Sequence, residues 1–337
     1  MPPLRLGVAY DFRNPPQSGM DNAAFYAAIV EQVAWLDSLG LDLVWFTEHH
    51  FLDDGYLPSW IPVAGAMAAR TKRIRFSTDI CLMPFNHPVR LAEDLAVLDN
   101  LSNGRVELGA GMGYAPHEFR GFGMPVPERV SRMEEGLEVL RRCFRGERFS
   151  FQGKRFQLED VQIRPGYVQP GGPPLWVAAM SEAGARRAAR FDANLLPQGP
   201  REAVLDPWRA DLRASGRDPA RYRVGLIKPV LVTDDVERDW PAVRAAERYR
   251  VEVYLRFSRE SAGDGLTQMR NEGWIPQTWV VGGVEHCAQE LARFVREFGI
   301  TDMVTWAVPP GLRPEQMNDS LRRFATEVAP RLRSLIE

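Results

Sequence analysis

The chain has 337 residues, of which 45% are hydrophobic and 26% charged, with a formal net charge of −2. This is the balance of a globular protein with a sizeable core, and nothing in it steers the chain toward nucleic acid or an anionic membrane. Cys81, Cys143 and Cys287 are odd in number, scattered and in no metal-ligand spacing, which argues against a disulfide framework and fits a reducing compartment. The N-terminus has no signal-peptide core and no apolar run approaches membrane-spanning length, so the expected location is the cytoplasm.

Short apolar runs alternate with amphipathic stretches. Leu4 to Tyr10 reads as a strand, and Asp21 to Leu39 as a helix with Asp21 as its N-cap and Gly40 as its stop. Leu43 to Thr47 is the next strand, Ser59 to Arg70 a helix, Ile74 to Leu82 a strand, and Val89 to Leu101 a helix. Val106 to Ala110 is a strand. Glu128 to Phe144 is the clearest helix, because Val130, Met133, Leu137, Leu140 and Phe144 recur at steps of three and four. The alternation then breaks at a hairpin-like, Gly- and Pro-rich stretch. It resumes with strands at Pro174–Ala179, Ala193–Leu196 and Val224–Val232, and helices at Glu182–Phe191, Arg201–Ala214 and Pro241–Arg256. A polar segment leads to a helix at Val284–Phe298, a strand at Asp302–Val308 and a terminal helix at Pro314–Leu335.

Eight strands, each followed by a helix, predict a parallel sheet, and eight such units predict an α/β fold of the closed (β/α)8 TIM barrel type. The expected organisation is one domain over 1–337 with insertions around 146–173 and 257–277. An open doubly wound sheet competes, but no G-x-G-x-x-G follows the first strand.

A barrel of this kind carries its site at the carboxyl ends of its strands. Polar residues interrupt the apolar runs there. Val44-Trp45-Phe46 stops at Thr47-Glu48-His49-His50. The histidines are either loop-capping groups or an acid/base centre, with Glu48 as an orienting carboxylate. Asp79, inside an apolar strand, is either a structural hydrogen-bonding group or a cofactor contact. Gly109, Gly111 and Gly113 alternate, which means close backbone packing or room for a flat ligand. Ser181 is a helix N-cap, and the same geometry leaves N–H groups free to bind phosphate. No histidine or cysteine spacing supports a metal site.

The stretches "VWFTEHHF" (44–51), "LMPFNHPVRLAEDLAVLDNLSNGRVELGAGMGYAPHEFRGFGMP" (82–125), "GGPPLWVAAMSEAGARRAAR" (171–190), "VVGGVEHCAQELARFVREFGITDMV" (280–304) and "FATEVAPRL" (324–332) belong together. Jointly they resemble the bacterial luciferase-like flavin-dependent monooxygenase family, over nearly the whole chain. The resemblance implies a (β/α)8 barrel with FMN at the carboxyl ends of its strands. His49 matches the family's catalytic histidine, with Glu48 nearby, and imidazole suits proton management near neutrality. Asp79-Ile80 matches a non-prolyl cis peptide beneath the flavin ring. Gly111 matches a flavin contact, with Tyr114 at the same strand end, and Ser181 a phosphate contact with Gly184 in the same turn. Three departures stand out. Asp79 is polar where small residues are usual. Met112 replaces an arginine that would meet the phosphate, and Met180 replaces a glutamate.

The function implied by the resemblance is a monooxygenase using reduced FMN from a separate flavin reductase and O2 to oxygenate a small organic substrate. A deazaflavin-dependent hydride-transfer oxidoreductase is the alternative, and a non-catalytic flavin-binding barrel a third reading. A homodimer through helices 59–70 and 88–102 is expected, partly because Ala64, Gly65, Ala66, Ala68 and Ala69 permit close approach.

Overall fold

A computed structural model describes residues 2–261 and 278–337. The first half runs β1 (Arg5–Tyr10), α1 (Asn22–Ser38), β2 (Leu43–Phe46), α2 (Trp60–Arg70), β3 (Arg75–Thr78), β4 (Cys81–Leu82), α3 (Pro88–Ser102), β5 (Leu108–Gly111), α4 (Pro116–Gly121) and α5 (Arg129–Phe144). The hairpin β6 (Phe149–Gln152) and β7 (Gln157–Val161) follows. Then come β8 (Leu175–Ala179), α6 (Glu182–Arg190), β9 (Asn194–Pro197), α7 (Arg201–Ala214), β10 (Gly225–Ile227), β11 (Val230–Val232), α8 (Val236–Ser261), β12 (Val280–Gly282), α9 (Val284–Phe298) and β13 (Asp302–Trp306). The chain ends in α10 (Asn318–Arg323) and α11 (Ala329–Ile336), joined by a π turn.

The parallel staves curl into a closed ring. One arc has the order β10-β13-β1-β2-β3 and the other β4-β5-β8-β9. Bridges Phe76↔Val106 and Leu195↔Val224 join the two arcs. Local signals fix the helices as expected. Asp21 caps α1 by accepting from the Ala24 N–H at 2.8 Å.

Side chains on each stave alternate between two interiors, because a strand's period is two. Leu6, Val8, Tyr10, Val44, Phe46 and Phe76 face the helices. Ala9, Leu43, Trp45, Trp176, Leu196, Val304 and Trp306 fill the barrel itself. Trp45 and Trp176 pack edge to face at 6.0 Å, and a Cβ on Gly225 would lie 2.5 Å from the Trp45 ring, so that stave must carry glycine.

The amino end of the barrel is plugged by charge. Glu107 accepts from Arg5 at 2.7 Å, Arg75 at 2.6 Å and the Trp176 indole at 2.8 Å. Asp302 takes Arg5 at 2.5 Å and Arg223 at 3.0 Å. Burial works against the Glu107 charge, yet Arg5 and Arg75 hold its pKa down to about 2.

Several expectations are corrected. The single strand read over Ile74–Leu82 is split between β3 and β4 by a cis Asp79–Ile80 bond. Val224–Val232 is split where Pro229 has no N–H to donate. β12 was not anticipated; three residues carry too little pattern to register, and it pairs with β11 outside the ring. α8 runs from 236 to 261, so residues 257–261 of the expected second insertion prolong it, and 262–277 lie outside the described residues. The terminal helix is interrupted by the π turn at Phe324–Val328, just ahead of Pro330. Val130 is 40% exposed, because the first turn of α5 projects past the core that holds Met133 and Leu137.

The Glu107 network sets an acid limit on stability. Its folded pKa lies below the ordinary 4.5, so its stabilisation is full above about pH 4.5 and is lost as pH falls toward 2. Glu107→Gln leaves Arg5 and Arg75 undercompensated and should destabilise the fold by about 3–5 kcal/mol at pH 7. Urea unfolding at pH 7 and pH 3 measures both, and the variant's deficit should shrink at the lower pH.

Candidate active site

The register of β1, β2 and β3 carries past their ends. Tyr10 pairs with Phe46 and Phe46 with Thr78, so Asp11, Thr47 and Asp79 form the next row. They share the inward parity of Ala9, Trp45 and Ser77. The row is held by Thr47 N–H donating to Tyr10 at 3.1 Å and Asp79 N–H to Phe46 at 2.8 Å. Asp79 is partly exposed. Its carboxylate takes Gln198 Nε2 at 3.1 and 3.3 Å, and the surrounding protein pushes it up to about 7 against that hydrogen bond. The Ile80 side chain then fills the space where Gly111 has no Cβ: a Cβ there would come within 1.8 Å of Ile80 Cδ1. Asp79, Ile80 and Gly111 are therefore brought together at this end of the barrel.

His49 is buried. Its Nδ1 lies 2.9 Å from Glu118 Oε1, which also accepts the His50 N–H at 2.9 Å. Burial opposes the Glu118 charge, but His49 and the two hydrogen bonds keep its pKa below the ordinary value. A carboxylate at Nδ1 assigns the proton to that nitrogen and leaves Nε2 as the working atom; among the described residues Nε2 has no hydrogen-bond partner. Glu48 is not the partner of His49. It faces outward and meets His50 Nε2 at 3.1 Å. Adjacent residues point opposite ways, so each histidine takes its own carboxylate. Glu118 lies in the "APHEF" stretch; the acidic residue just after a Gly-rich strand end was the available signal, and only the α4 turn shows which histidine it serves.

Aromatic rings wall the His49 imidazole. Tyr56 is 4.9 Å away, Phe257 5.1 Å, Tyr114 5.8 Å and Tyr254 5.9 Å between centroids. Tyr56 OH donates to Thr47 Oγ1 at 2.8 Å and pairs with Tyr254 OH at 2.9 Å. Tyr254 and Phe257 come from α8, which thus roofs the barrel mouth; no sequence pattern linked them to His49.

A second locus lies at the start of α6. Ser181 is its N-cap in position, yet its hydroxyl makes no capping bond. Gly184 lets the helix pack on β8, since a Cβ would be 3.1 Å from Ala179 Cα. The first-turn N–H groups of a nine-residue helix favour an anion. Near the same helix, Arg129 buries Nη1 without a hydrogen-bond partner among the described residues, and burial together with nearby Arg187 lowers its pKa. Arg187 is matched by Glu134 at 3.0 Å, so Arg129 supplies the unbonded N–H that could meet a phosphate. Met112 packs against the helix-facing core, on the opposite parity to Gly111, and Met180 is half-buried beside Gly199. Arg129 is a candidate phosphate contact that no sequence motif singled out.

A profile of the luciferase-like monooxygenase family matches residues 4–302. The chain is 29% identical to 4-hydroxyprotoasukamycin monooxygenase of Streptomyces nodosus subsp. asukaensis, over 91% of this chain and 87% of that protein. It is 27% identical to the F420-dependent glucose-6-phosphate dehydrogenase of Amycolatopsis mediterranei, over 91% and 95% of the two chains. The crystal structure of monooxygenase RslO1 from Streptomyces bottropensis superposes with a TM-score of 0.78 at 25% identity, covering 97% of this chain and 99% of that one. Monooxygenases and F420-dependent dehydrogenases thus both stand among its relatives.

Asp79 provides a test that needs no substrate. Its folded pKa of about 7 exceeds the ordinary 3.8, so the carboxyl costs nothing at low pH and costs stability progressively as pH rises from 3.8 through 7. Asp79→Asn should therefore raise the thermal midpoint at pH 8 and change it little at pH 4. Equal shifts at both pH values would show that the carboxylate is not held against its own ionisation.

Proposed function

The chain belongs to the luciferase-like monooxygenase family, and on that footing we propose that it is a flavin-dependent monooxygenase acting on a small organic substrate. The observation that carries this reading is the buried His49–Glu118 pair, with Nε2 left unbonded inside an aromatic wall at the carboxyl end of the barrel. Ser181, the first turn of α6 and Arg129 would hold the phosphate of FMN, and Asp79, Ile80, Gly111 and Tyr114 would border its ring. Reduced FMN, delivered by a separate reductase, supplies the electrons with which O2 is activated. The protein's own part is orientation, exclusion of water and proton handling. Glu118 fixes the His49 tautomer, and Nε2 gives or takes a proton at the reacting oxygen. Tyr56, Tyr254 and Phe257 keep bulk water from the imidazole.

A deazaflavin-dependent hydride transfer is the second reading, favoured by the F420-dependent relative that matches 91% of the chain. The same His49 would then serve as acid or base toward the substrate hydroxyl. No helix among the described residues is long and apolar enough to cross a membrane. We further propose a homodimer through α2 and α3, supported by exposed Val97 and Leu101 on α3.

Purified protein titrated separately with reduced FMN and reduced F420, each then mixed with O2 and followed by absorbance, separates the two readings. FMN binding with O2-dependent reoxidation distinct from that of free flavin supports the first. His49→Ala should keep the fold and FMN affinity while slowing turnover by about 10²–10⁴; wild-type turnover would remove His49 from the chemistry. Light scattering at micromolar concentration should report a dimer, and a monomer would count against the α2–α3 interface.

A further inference from the structure

Three polar atoms just beyond β1 are buried and make no hydrogen bond of ordinary geometry among the described residues: Arg13 Nη1, Arg13 Nη2 and Asp11 Oδ2. The residues are 0% and 1% exposed. Each such atom costs about 1–3 kcal/mol unless something bonds to it. The rest of both side chains is firmly engaged. Arg13 Nε donates to Asp54 Oδ2 at 2.7 Å, and Asp11 Oδ1 accepts the Arg13 N–H at 3.1 Å. The guanidinium lies between the rings of Tyr56 and Tyr249, at 5.3 and 5.0 Å. Tyr56 is the ring that meets His49 edge to face. The unbonded guanidinium is therefore one aromatic ring from the imidazole, and Asp11 stands in the row that also contains Thr47 and Asp79.

We propose that Arg13 and Asp11 form a recognition site for an uncharged amide-type edge, a carbonyl oxygen beside an N–H. The carbonyl would accept from Arg13 Nη1 and Nη2, and the N–H would donate to Asp11 Oδ2. A carboxylate would satisfy the arginine alone and is disfavoured by charge. Arg13 is already matched by Asp54, and nearby Arg250 is matched by Glu247 at 2.7 Å. Asp11 is left as the surplus negative group; burial pushes it up to about 6 against the pull of Arg13. A further buried anion would be a third carboxylate against one guanidinium. An amide edge adds no charge and satisfies donors and acceptor together. A cleft of about 610 Å³ between residues 52–54 and α8 has Asp54 and Tyr249, the neighbours of Arg13, in its wall, and a ligand entering from it must part their 3.0 Å hydrogen bond.

The assignment rests on the proposed reading of the barrel mouth as a cofactor and substrate site. Two sources share this chemistry: an amide or lactam on the substrate, and the imide edge of a flavin ring. The test uses benzamide and benzoate as probes of the full-length protein, followed by calorimetry or ligand-observed NMR. Benzamide should bind at least about tenfold more tightly than benzoate, with a millimolar dissociation constant suited to so small a ligand. Asp11→Asn keeps the shape and removes the charge, and should shift the ratio toward benzoate by about tenfold or more. Arg13→Met should weaken benzamide by a similar factor, with circular dichroism confirming the fold. Displacement of benzamide by saturating FMN identifies the flavin imide as the source, and persistence identifies the substrate; either supports the site. The proposal is overturned if benzoate binds the wild type as tightly as benzamide, if neither probe binds, or if Asp11→Asn leaves the ratio unchanged. FMN titration of the same samples reads the oxidoreductase hypothesis separately, since loss of flavin binding leaves the probe ratio intact.

Discussion

Every stave of this barrel must divide its side chains between two interiors, and that alternation governs the rest of the molecule. The even-numbered positions of β1, β2 and β3 build the layer under the helices, and the odd-numbered ones stack inside the ring. Because neighbouring staves are in register, the inward residues form rows. The lowest row is ionic, with Glu107 and Asp302 neutralised by Arg5, Arg75 and Arg223. The middle is apolar and aromatic around Trp45 and Trp176. The uppermost is polar, with Asp11, Thr47, Asp79 and Gln198. A charged floor and a filled middle close the barrel to water from below, so chemistry is possible only at the top.

At the top the governing fact is how buried polar groups find partners. His49 and His50 are adjacent, so one side chain turns to the mouth and the other away. Each has its own carboxylate, Glu118 for His49 and Glu48 for His50. A histidine whose Nδ1 is committed to a buried carboxylate has one tautomer and one orientation, which is what an acid/base group requires. The groups that remain uncommitted are then the informative ones. Arg129 Nη1 at α6 and the Arg13–Asp11 atoms at β1 lie toward different staves of the ring, which is what an extended ligand with a phosphate at one end would exploit.

The substitutions that distinguish this chain lie at the same places. Met112 cannot pair with a phosphate, and its side chain belongs to the outer core. The buried, unbonded guanidinium nitrogen near α6 belongs instead to Arg129, at the start of α5. Asp79 puts a carboxyl where it stands nearly free of neighbouring positive charge, with Gln198 as its hydrogen-bond donor.

The sequence by itself determined the elements and their order. The step of three and four in α5, the cap at Asp21 and the apolar runs ending in polar tips are local patterns, and eight alternating units leave few folds to choose from. Motif resemblance added His49, the Asp79–Ile80 peptide and Ser181 as candidates. Tertiary structure alone decided the partnerships. Glu118 is 69 residues from His49, Tyr254 is 198 from Tyr56, and Arg5 is 102 from Glu107. No period or spacing encodes such pairs, because they depend on how the ring closes and where α8 crosses its mouth. The same is true of what is left unpaired: an orphaned guanidinium is visible only after every other group has found its partner.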